Sequence, residues 1–536
     1  MISESLKELL KDDVFAAAPA EEPQRQHYFI EQLKKVFSGS DRRYTAAVVT
    51  FGCQMNARDS EKLEGILSEI GFATGADEQD ADFVAFNTCT VRENANEHLY
   101  GRLGRLKSAK TKNRDMIISV CGCMMQEADE IEKLRSRYFF VDIIFGTHNL
   151  YTFPELLFRL LRKRSGSVDA FDDNGIRMLT SSSDDAVRLD RLMRYSGTAS
   201  GQKDIEKLLR RPVVSVWEDS DRIVEKLPSK RKYPFKQGIN IMFGCNNFCS
   251  YCIVPYVRGR EKSRLPEEIF DEIRAAASEG VKEIMLLGQN VNSYSGGINF
   301  AQLLRQIDSL CDETGIERIR FMTSHPKDLS DELIEVMASS KHVCRQFHLP
   351  LQSGSDRILK LMNRHYDKER FLERAASLKA AMPDISISTD IIVGFPGETE
   401  RDFLETLDVL GRVRFDSAFT FIYSRREGTP AAALEDPTEE SVIKERFERL
   451  LGFQNGIVEE NLNALAGKKC GVLFEEISEY DPGLITGKTE QGITVHVPAD
   501  PGIIGQIRDV VLEENHKFYF TGSLVGKESN ATRIGG

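Results

Sequence analysis

From about residue 45 to 163 and again from about 236 to 460, short apolar runs alternate with stretches of helical apolar spacing, and after Ala466 the helical spacing stops. That switch constrains the fold more than any other feature. Strand–helix repeats ask for parallel sheets covered by helices, whereas pure alternation between Gly-rich turns asks for an all-β body. The expected strands are 46–51, 83–86 and 116–120 in a first region, 45–163, and 238–242, 283–287, 318–322 and 386–393 in a second, 236–463. A helix is expected over 265–279. The third region, 464–530, carries runs at 470–474, 493–497, 509–512 and 517–520, as in a small barrel of the oligonucleotide-binding type. The sequence thus predicts a multidomain α/β chain: an N-terminal parallel α/β domain, a partial (βα) barrel and a C-terminal all-β barrel. Residues 1–44 read as a helical extension, with Leu6, Leu9 and Leu10 and then Ile30, Leu33 and Phe37 at helical spacing. Residues 164–235, rich in Ser, Asp, Lys and Arg and holding the only tryptophan, Trp217, read as a linker or insertion. Residues 531–536 read as a tail.

The charge balance narrows the partners. Seventy-one Lys and Arg against 83 Asp and Glu leave −12, so attraction to a polyanion must come from local patches. Arg102, Arg105, Lys107, Lys110, Lys112 and Arg114 form one such stretch, which also suits a solvated helix face. No apolar run approaches the ~18 residues of a membrane span, and the amphipathic, acidic start is unlike a signal peptide. The expectation is a cytoplasmic protein with no membrane contact. Ten cysteines are too sparse for a disulfide scaffold, and several fall in patterned settings that point to metal or redox chemistry.

Three of the N-terminal runs end in a cysteine: Gly52-Cys53, Asn87-Thr88-Cys89 and Cys121-Gly122-Cys123. The carboxyl ends of parallel strands share one edge, where ligands bind, so Cys53, Cys89 and either Cys121 or Cys123 are expected to meet there. The alternative for each is a small buried hydrophobe. The second pattern is Cys245-Asn246-Asn247-Phe248-Cys249-Ser250-Tyr251-Cys252, directly after an expected strand. Three thiolates on one short loop can ligate three irons of a [4Fe–4S] cluster and leave the fourth open to a ligand. A zinc site would want a fourth protein ligand, and none lies nearby in the sequence.

This Cx3CxxC loop resembles that of the radical S-adenosylmethionine enzymes. Further runs extend the likeness: GCNNFCSYCIVPYVRGREKSR at 244–264, GQNVNSY at 288–294, SHP at 324–326, HLPLQSGSD at 348–356, TDIIVGFPGET at 389–399 and YSRREGTPAA at 423–432. With FGCQMN at 51–56, NTCTVRENA at 87–95 and CGCMMQ at 121–126, the chain resembles the methylthiotransferase family of those enzymes over about 45–160 and 230–530. TGKTEQGITVHVP at 486–498 is similar to the family's RNA-binding TRAM module.

The resemblance implies two [4Fe–4S] clusters, an auxiliary one on Cys53, Cys89 and Cys123 and a radical one on Cys245, Cys249 and Cys252, with no catalytic residue beyond these ligands. Cys121 departs from the family's Gly-Cys-Met step, and Cys311, Cys344 and Cys470 match no cluster motif. It implies S-adenosylmethionine in two roles, methyl donor to a sulfur at the auxiliary cluster and source of a 5′-deoxyadenosyl radical. Cofactor contacts are expected from Tyr251, Gln289, Asn290, Asp390, Gly394 and Pro396. Arg258, Arg260 and Arg264 are candidates for the methionine carboxylate or the RNA backbone. His325 and His348 suit pocket lining or a structural role.

The expected reaction is insertion of a methylthio group at C2 of N6-isopentenyladenosine, position 37 of tRNA, with a reducing electron donor. This C–H bond is inert to acid–base chemistry, so a cofactor-borne radical is needed. The base is expected to be splayed from the anticodon loop. Related members act on threonylcarbamoyl-adenosine or on a ribosomal-protein aspartate, and the wording at 245–261 and 288–294 favours the isopentenyl substrate. A non-enzymatic iron–sulfur RNA-binding regulator is the reading from another class. Over 466–536, seven Lys and Arg stand against ten Asp and Glu, so RNA contact there needs a localised face, with Lys488, Arg508 and Lys517 as candidates.

Overall fold

The computed structural model describes residues 10, 13–39, 42–90, 93–165, 212–217, 220 and 223–526, with the side chains of 13 and 93–95 left aside. Leu6 and Leu9, most of the 164–235 segment and the 531–536 tail lie outside the described residues. The chain divides into two compact units, residues 1–231 with 253–259, and residues 232–252 with 260–536. Among the described residues no helix is long and apolar enough to cross a membrane.

The N-terminal unit is built on six parallel strands: β1 (Thr45–Thr50), β2 (Ala73–Thr74), β3 (Phe83–Thr88), β4 (Ile117–Gly122), β5 (Ile143–Phe145) and β6 (Val213–Ser215), in the order β2-β1-β3-β4-β5-β6. β3 and β4 are buried along their whole length, as strands covered on both faces must be. Alternate residues serve the two faces. Phe83, Ala85, Ile117 and Cys121 pack against α1 (Gln24–Ser38), α2 (Gln54–Glu69) and α5 (Phe153–Arg164), whereas Val84, Phe86, Ile118 and Val120 pack against α3 (Glu93–Lys112) and α4 (Ala128–Arg137).

Two flanking segments are tied into this unit. The helical 1–44 extension buries Phe29, Ile30, Leu33 and Val36 of α1 in the first core beside Phe153 and Phe158 of α5. Within 164–235, read as a linker or insertion, β6 pairs with β5 at Ile143↔Val213. Gln126 donates to the Trp217 carbonyl and Trp217 packs edge-on against Tyr151, which ties this stretch to the sheet.

The C-terminal unit starts with β7 (Lys236–Asn240). After it come β8 (Met242–Phe243), β9 (Lys262–Ser263), β10 (Glu283–Leu287), β11 (Arg318–Phe321), β12 (Gln346–His348), β13 (Ser386–Val393) and β14 (Ser417–Ile422). Parallel triplets β7-β10-β11 and β12-β13-β14 are joined by a parallel bridge between Ile319 and Val343, which makes an open six-stranded barrel wall. Helices α6 (Pro266–Ser278), α7 (Phe300–Thr314), α8 (Asp331–Ser339), α9 (Lys368–Ala381) and α10 (Glu400–Val413) bury their apolar faces on it. Capping boxes at Asn299/Gln302 and Thr399/Asp402 set the starts of α7 and α10.

Helix α11 (Glu440–Asn463) leads into a closed barrel of β15 (Lys469–Ile477), β16 (Leu484–Thr489), β17 (Thr494–Pro498), β18 (Ile507–Asn515) and β19 (Tyr519–Leu524). Its inward residues include Val472, Phe474, Ile485, Val495, Val510 and Phe520. This small barrel is one compact unit with the larger one. Arg318 donates to the carbonyls of Gly471 and Lys488 (both 2.9 Å), and Arg320 to those of Thr489 (2.7 Å) and Glu490 (2.8 Å). Lys236 pairs with Glu475 at 2.6 Å.

Candidate metal centres

The order β2-β1-β3-β4-β5 reverses direction between β1 and β3, with α2 on one face and α3 on the other. Such a switch point opens a crevice at the carboxyl ends of the strands. Cys53 follows β1 there and is the N-cap residue of α2, Cys89 follows β3, and Cys123 follows β4. Close backbone approach makes the cradle. Gly52 has φ +127°, and a Cβ on it would stand 2.5 Å from the Cys89 Cβ. Gly122 has φ +101°, and a Cβ there would stand 2.2 Å from the Thr88 carbonyl oxygen, so neither position admits a side chain. Asn56 donates to the Thr88 carbonyl at 2.8 Å, and Asn87 donates back to the Asn56 carbonyl at 2.8 Å, which pins the loop of Cys53 to that of Cys89.

Cys121 and Cys123 part company. Cys121 lies inside β4 and is buried in the core facing α1, α2 and α5, where desolvation pushes its thiol well up. Cys123 stands beyond the Gly122 turn beside Ile253 and Val257. Burial pushes its thiol up to about 12, while the Arg258 guanidinium pulls it down and Cys89 and Cys53 are near enough to push it up. Arg258 Nε lies 3.0 Å from the Cys123 Sγ, and its Nη2 donates to Asn56 Oδ1 at 3.1 Å.

The second centre sits on the loop after β8. Gly244 (φ +71°) and Phe248 (φ +46°) turn the chain tightly enough for Cys245, Cys249 and Cys252 to share it. Neighbouring segments hold the loop: Asn363 donates to the Phe248 carbonyl (2.9 Å), Ser250 N–H to that of Met362 (3.0 Å), and Ala431 N–H to that of Ser250 (2.8 Å). Burial pushes the Cys245 thiol up to about 11. The buried Arg364 donates to Cys249 Sγ at 3.2 Å and to the Pro350 carbonyl at 2.9 Å, and it also reaches the hydroxyls of Tyr366 and Tyr251.

The strand ends around this loop carry unspent polar groups. Asn290 donates to Asp328 at 2.7 Å, but its Oδ1, both amide atoms of Asn292, Ser324 Oγ, His325 Nε2 and Tyr423 OH are buried without a partner among the described residues. Native proteins rarely leave such groups idle, and a polar ligand or water could satisfy them. His348 Nε2 meets Asp390 at 3.3 Å on the inner face of β12–β13. In register with β13, Phe419 and Phe421 stand 48% and 46% exposed.

Among the described residues no three cysteine, histidine or carboxylate side chains are already gathered at ion-binding distance. The fit of a cluster therefore rests on the two backbone cradles and on a guanidinium donor at one sulfur of each set, which suit anionic thiolate ligands.

Comparison with known proteins agrees with this division. The Uncharacterized protein family UPF0004 matches residues 45–146, the Radical SAM superfamily 239–410 and the TRAM domain 464–525. A protein of Lachnoclostridium phytofermentans, named tRNA-2-methylthio-N(6)-dimethylallyladenosine synthase, is 48% identical over 502 residues, 92% of this chain and 98% of the relative. Proteins of the same name from Acetivibrio thermocellus and Clostridioides difficile are 44% and 43% identical over 94% and 95% of this chain and 97% and 98% of their own lengths. The chain belongs to the tRNA-2-methylthio-N(6)-dimethylallyladenosine synthase family.

Within this synthase fold the candidate residues are unevenly used. Tyr251 packs near Phe395 and Tyr423 beside the second cysteine loop, and Gln289 and Asn290 follow β10. Gly394 (φ +73°) and Pro396 follow β13, and the buried Glu398 accepts from the Gly394 N–H (3.4 Å) and from Arg446. Arg260 lies over the Phe248 ring at 5.1 Å. Arg264 is not available to a substrate: it is buried, paired with Glu272 at 2.6 Å and donating to the Asn240 carbonyl. Lys488, Arg508 and Lys517 are exposed but do not form one patch, because Arg508 lies near the start of β18 and Lys517 just beyond its end. In the basic stretch, Arg102 pairs with Glu78 and Lys110 with Asp142, which leaves Arg105, at 4.0 Å from Glu78, with Lys107, Lys112 and Arg114 on the surface. Sequence reasoning missed Arg364, Phe419 and Phe421, which acquire meaning only from segments distant in the chain, and it passed over Asn292 although that residue lies inside the GQNVNSY motif at 288–294.

Proposed function

We propose that this chain is a radical S-adenosylmethionine enzyme that replaces the C2 hydrogen of N6-isopentenyladenosine, at position 37 of tRNA, with a methylthio group, working in the cytoplasm with an external electron donor. The observation that carries the reading is the presence of two separate three-cysteine sets, in two units, in a chain that matches synthases of that name along nearly their whole length. Cys245, Cys249 and Cys252 would hold one [4Fe–4S] cluster, and Cys53, Cys89 and Cys123 a second. When bound, the first of these supplies, with S-adenosylmethionine, a carbon radical able to take a hydrogen atom that no side chain could remove as a proton.

The protein's share is positioning. Gly52, Gly122 and Gly244 let the backbone close on each centre. Asn290, Asn292, Ser324 and His325 offer polar atoms to the cofactor's amino-acid and ribose groups. Phe419 and Phe421 offer ring faces to an unstacked base at the barrel mouth, where stacking tolerates an appended apolar group.

The test is anaerobic reconstitution, iron and sulfide analysis, and nucleoside analysis of tRNA with and without the isopentenyl group. A preference of about tenfold or more for the isopentenylated tRNA is expected, in line with ~1–3 kcal/mol per small apolar group. Equal turnover of both tRNAs, or turnover only of threonylcarbamoylated tRNA or of a ribosomal-protein aspartate, overturns the substrate.

A further inference from the structure

We infer that Arg258 is a positioning residue of the N-terminal centre: given the cluster reading proposed above, its guanidinium is the buried counter-charge and sulfur hydrogen-bond donor for the cluster on Cys53, Cys89 and Cys123. The residue comes shortly after Cys252 in the chain, yet the stretch 253–259 folds as part of the N-terminal unit. Its side chain is 5% exposed, so it reaches neither a phosphate nor solvent. Its nitrogens are committed to this centre: Nε to Cys123 Sγ at 3.0 Å, Nη2 to Asn56 Oδ1 at 3.1 Å and Asp59 Oδ2 at 3.6 Å, and Nη1 toward Met55 Sδ at 3.9 Å.

A guanidinium cannot shed its proton, and burying it costs several kcal/mol unless an anion faces it. Asp59 is one anion, but at 3.6 Å from Nη2 it stands outside hydrogen-bond distance, whereas Cys123 Sγ lies 3.0 Å from Nε. A neutral thiol is a weak acceptor. Three thiolates around a [4Fe–4S] core instead leave a net negative charge that grows on reduction, and such charge, with hydrogen bonds to the sulfurs, sets a cluster's potential. Arg258 thereby favours the reduced cluster and an anionic sulfur ligand on its open iron.

The experiment uses the full-length chain carrying Cys245→Ala, Cys249→Ala and Cys252→Ala, so that the auxiliary iron alone is read. Redox titration followed by electron paramagnetic resonance gives its midpoint. Arg258→Gln is expected to lower the midpoint by about 59 mV or more, a tenfold change in the one-electron equilibrium. Arg258→Lys, which keeps the charge, should lie nearer the parent. Loss of iron in the Gln variant with retention in the Lys variant also supports the counter-charge. A midpoint unmoved by Arg258→Gln, or equal shifts or equal iron loss in both variants, overturns the inference while leaving the cluster intact. Absence of iron from the parent background overturns the cluster reading, and the inference with it.

Discussion

The two cysteine centres reach the same composition by opposite routes. In the C-terminal unit one loop carries all three thiols, and β8 with the turns at Gly244 and Phe248 has only to present it. In the N-terminal unit three strand ends deliver one thiol each, so the centre exists only when β1, β3 and β4 are in register, Ala46 opposite Phe83 and Phe83 opposite Ile117. The first centre is a property of the chain and the second a property of the sheet. Both then acquire a guanidinium from elsewhere, Arg364 at Cys249 and Arg258 at Cys123.

The largest test of this contrast removes each set in turn. Replacing Cys245, Cys249 and Cys252 by Ala should abolish both 5′-deoxyadenosine and methylthio product. Replacing Cys53, Cys89 and Cys123 should abolish product alone and leave slow cleavage of S-adenosylmethionine. Cys121→Ala, in the packed face of the sheet, should keep the auxiliary iron. Iron content with product analysis decides, and an auxiliary cluster lost in Cys121→Ala but kept in Cys123→Ala would reverse the ligand assignment.

A smaller effect separates the two arginines. Arg364 spreads its fork over Cys249, Pro350 and two tyrosine hydroxyls, so a lysine, a point charge, cannot replace it. Arg364→Lys is expected to cost on the order of 3–5 kcal/mol in denaturant unfolding. If Arg364→Lys proves no more destabilising than Arg258→Lys, the contrast between a structural fork and a counter-charge collapses.

The smallest effect concerns pH. Burial pushes Glu398 up to about 7 from 4.5, with the Gly394 N–H and Arg446 pulling it back. The unfolded chain loses this proton near 4.5 and the folded chain near 7, so the folded form binds more protons between them. Stability must fall as pH rises through that window and level off above it. Glu398→Gln should remove the slope, worth at most about 3 kcal/mol, and its melting temperature should gain on the parent's between pH 5 and pH 8. Parallel melting curves at both pH values would refute the assignment.

The small barrel bears on any such experiment. Read from the sequence as a separate module, it invites truncation near residue 465. Removing it would strip Arg318 and Arg320 of four carbonyl acceptors, so loss of tRNA binding on truncation would be confounded with damage to β11. Substitutions of exposed barrel residues such as Tyr480 and Phe518 probe RNA contact without that cost.

What could be read in advance was whatever is local. The Cx3CxxC loop, the strand–helix alternation and its end at Ala466 depend on neighbours in sequence, and each expected run falls within a few residues of a described strand, although β5, β12, β14 and β16 were not among those runs. The three residues of β6 were hidden, because so short an edge strand in a polar stretch has no periodicity to show. Cys121 and Cys123 could not be separated by parity either. Two residues apart, they would share a face if β4 ran on, and only the positive φ of Gly122 sends Cys123 away from the core that takes Cys121.

The clearest division lies in three arginines close together in one motif. Sequence alone determined that Arg258, Arg260 and Arg264 follow the cysteine loop, and it offered all three the same alternatives, the methionine carboxylate or the RNA backbone. The tertiary structure gave them three different places: Arg258 on Cys123 in the N-terminal unit, Arg260 over the ring of Phe248, and Arg264 buried against Glu272. A guanidinium's role is set by whichever anion, ring or carbonyl meets it on burial. For Arg258 those partners come from strands and helices more than a hundred residues away, where no local pattern can point.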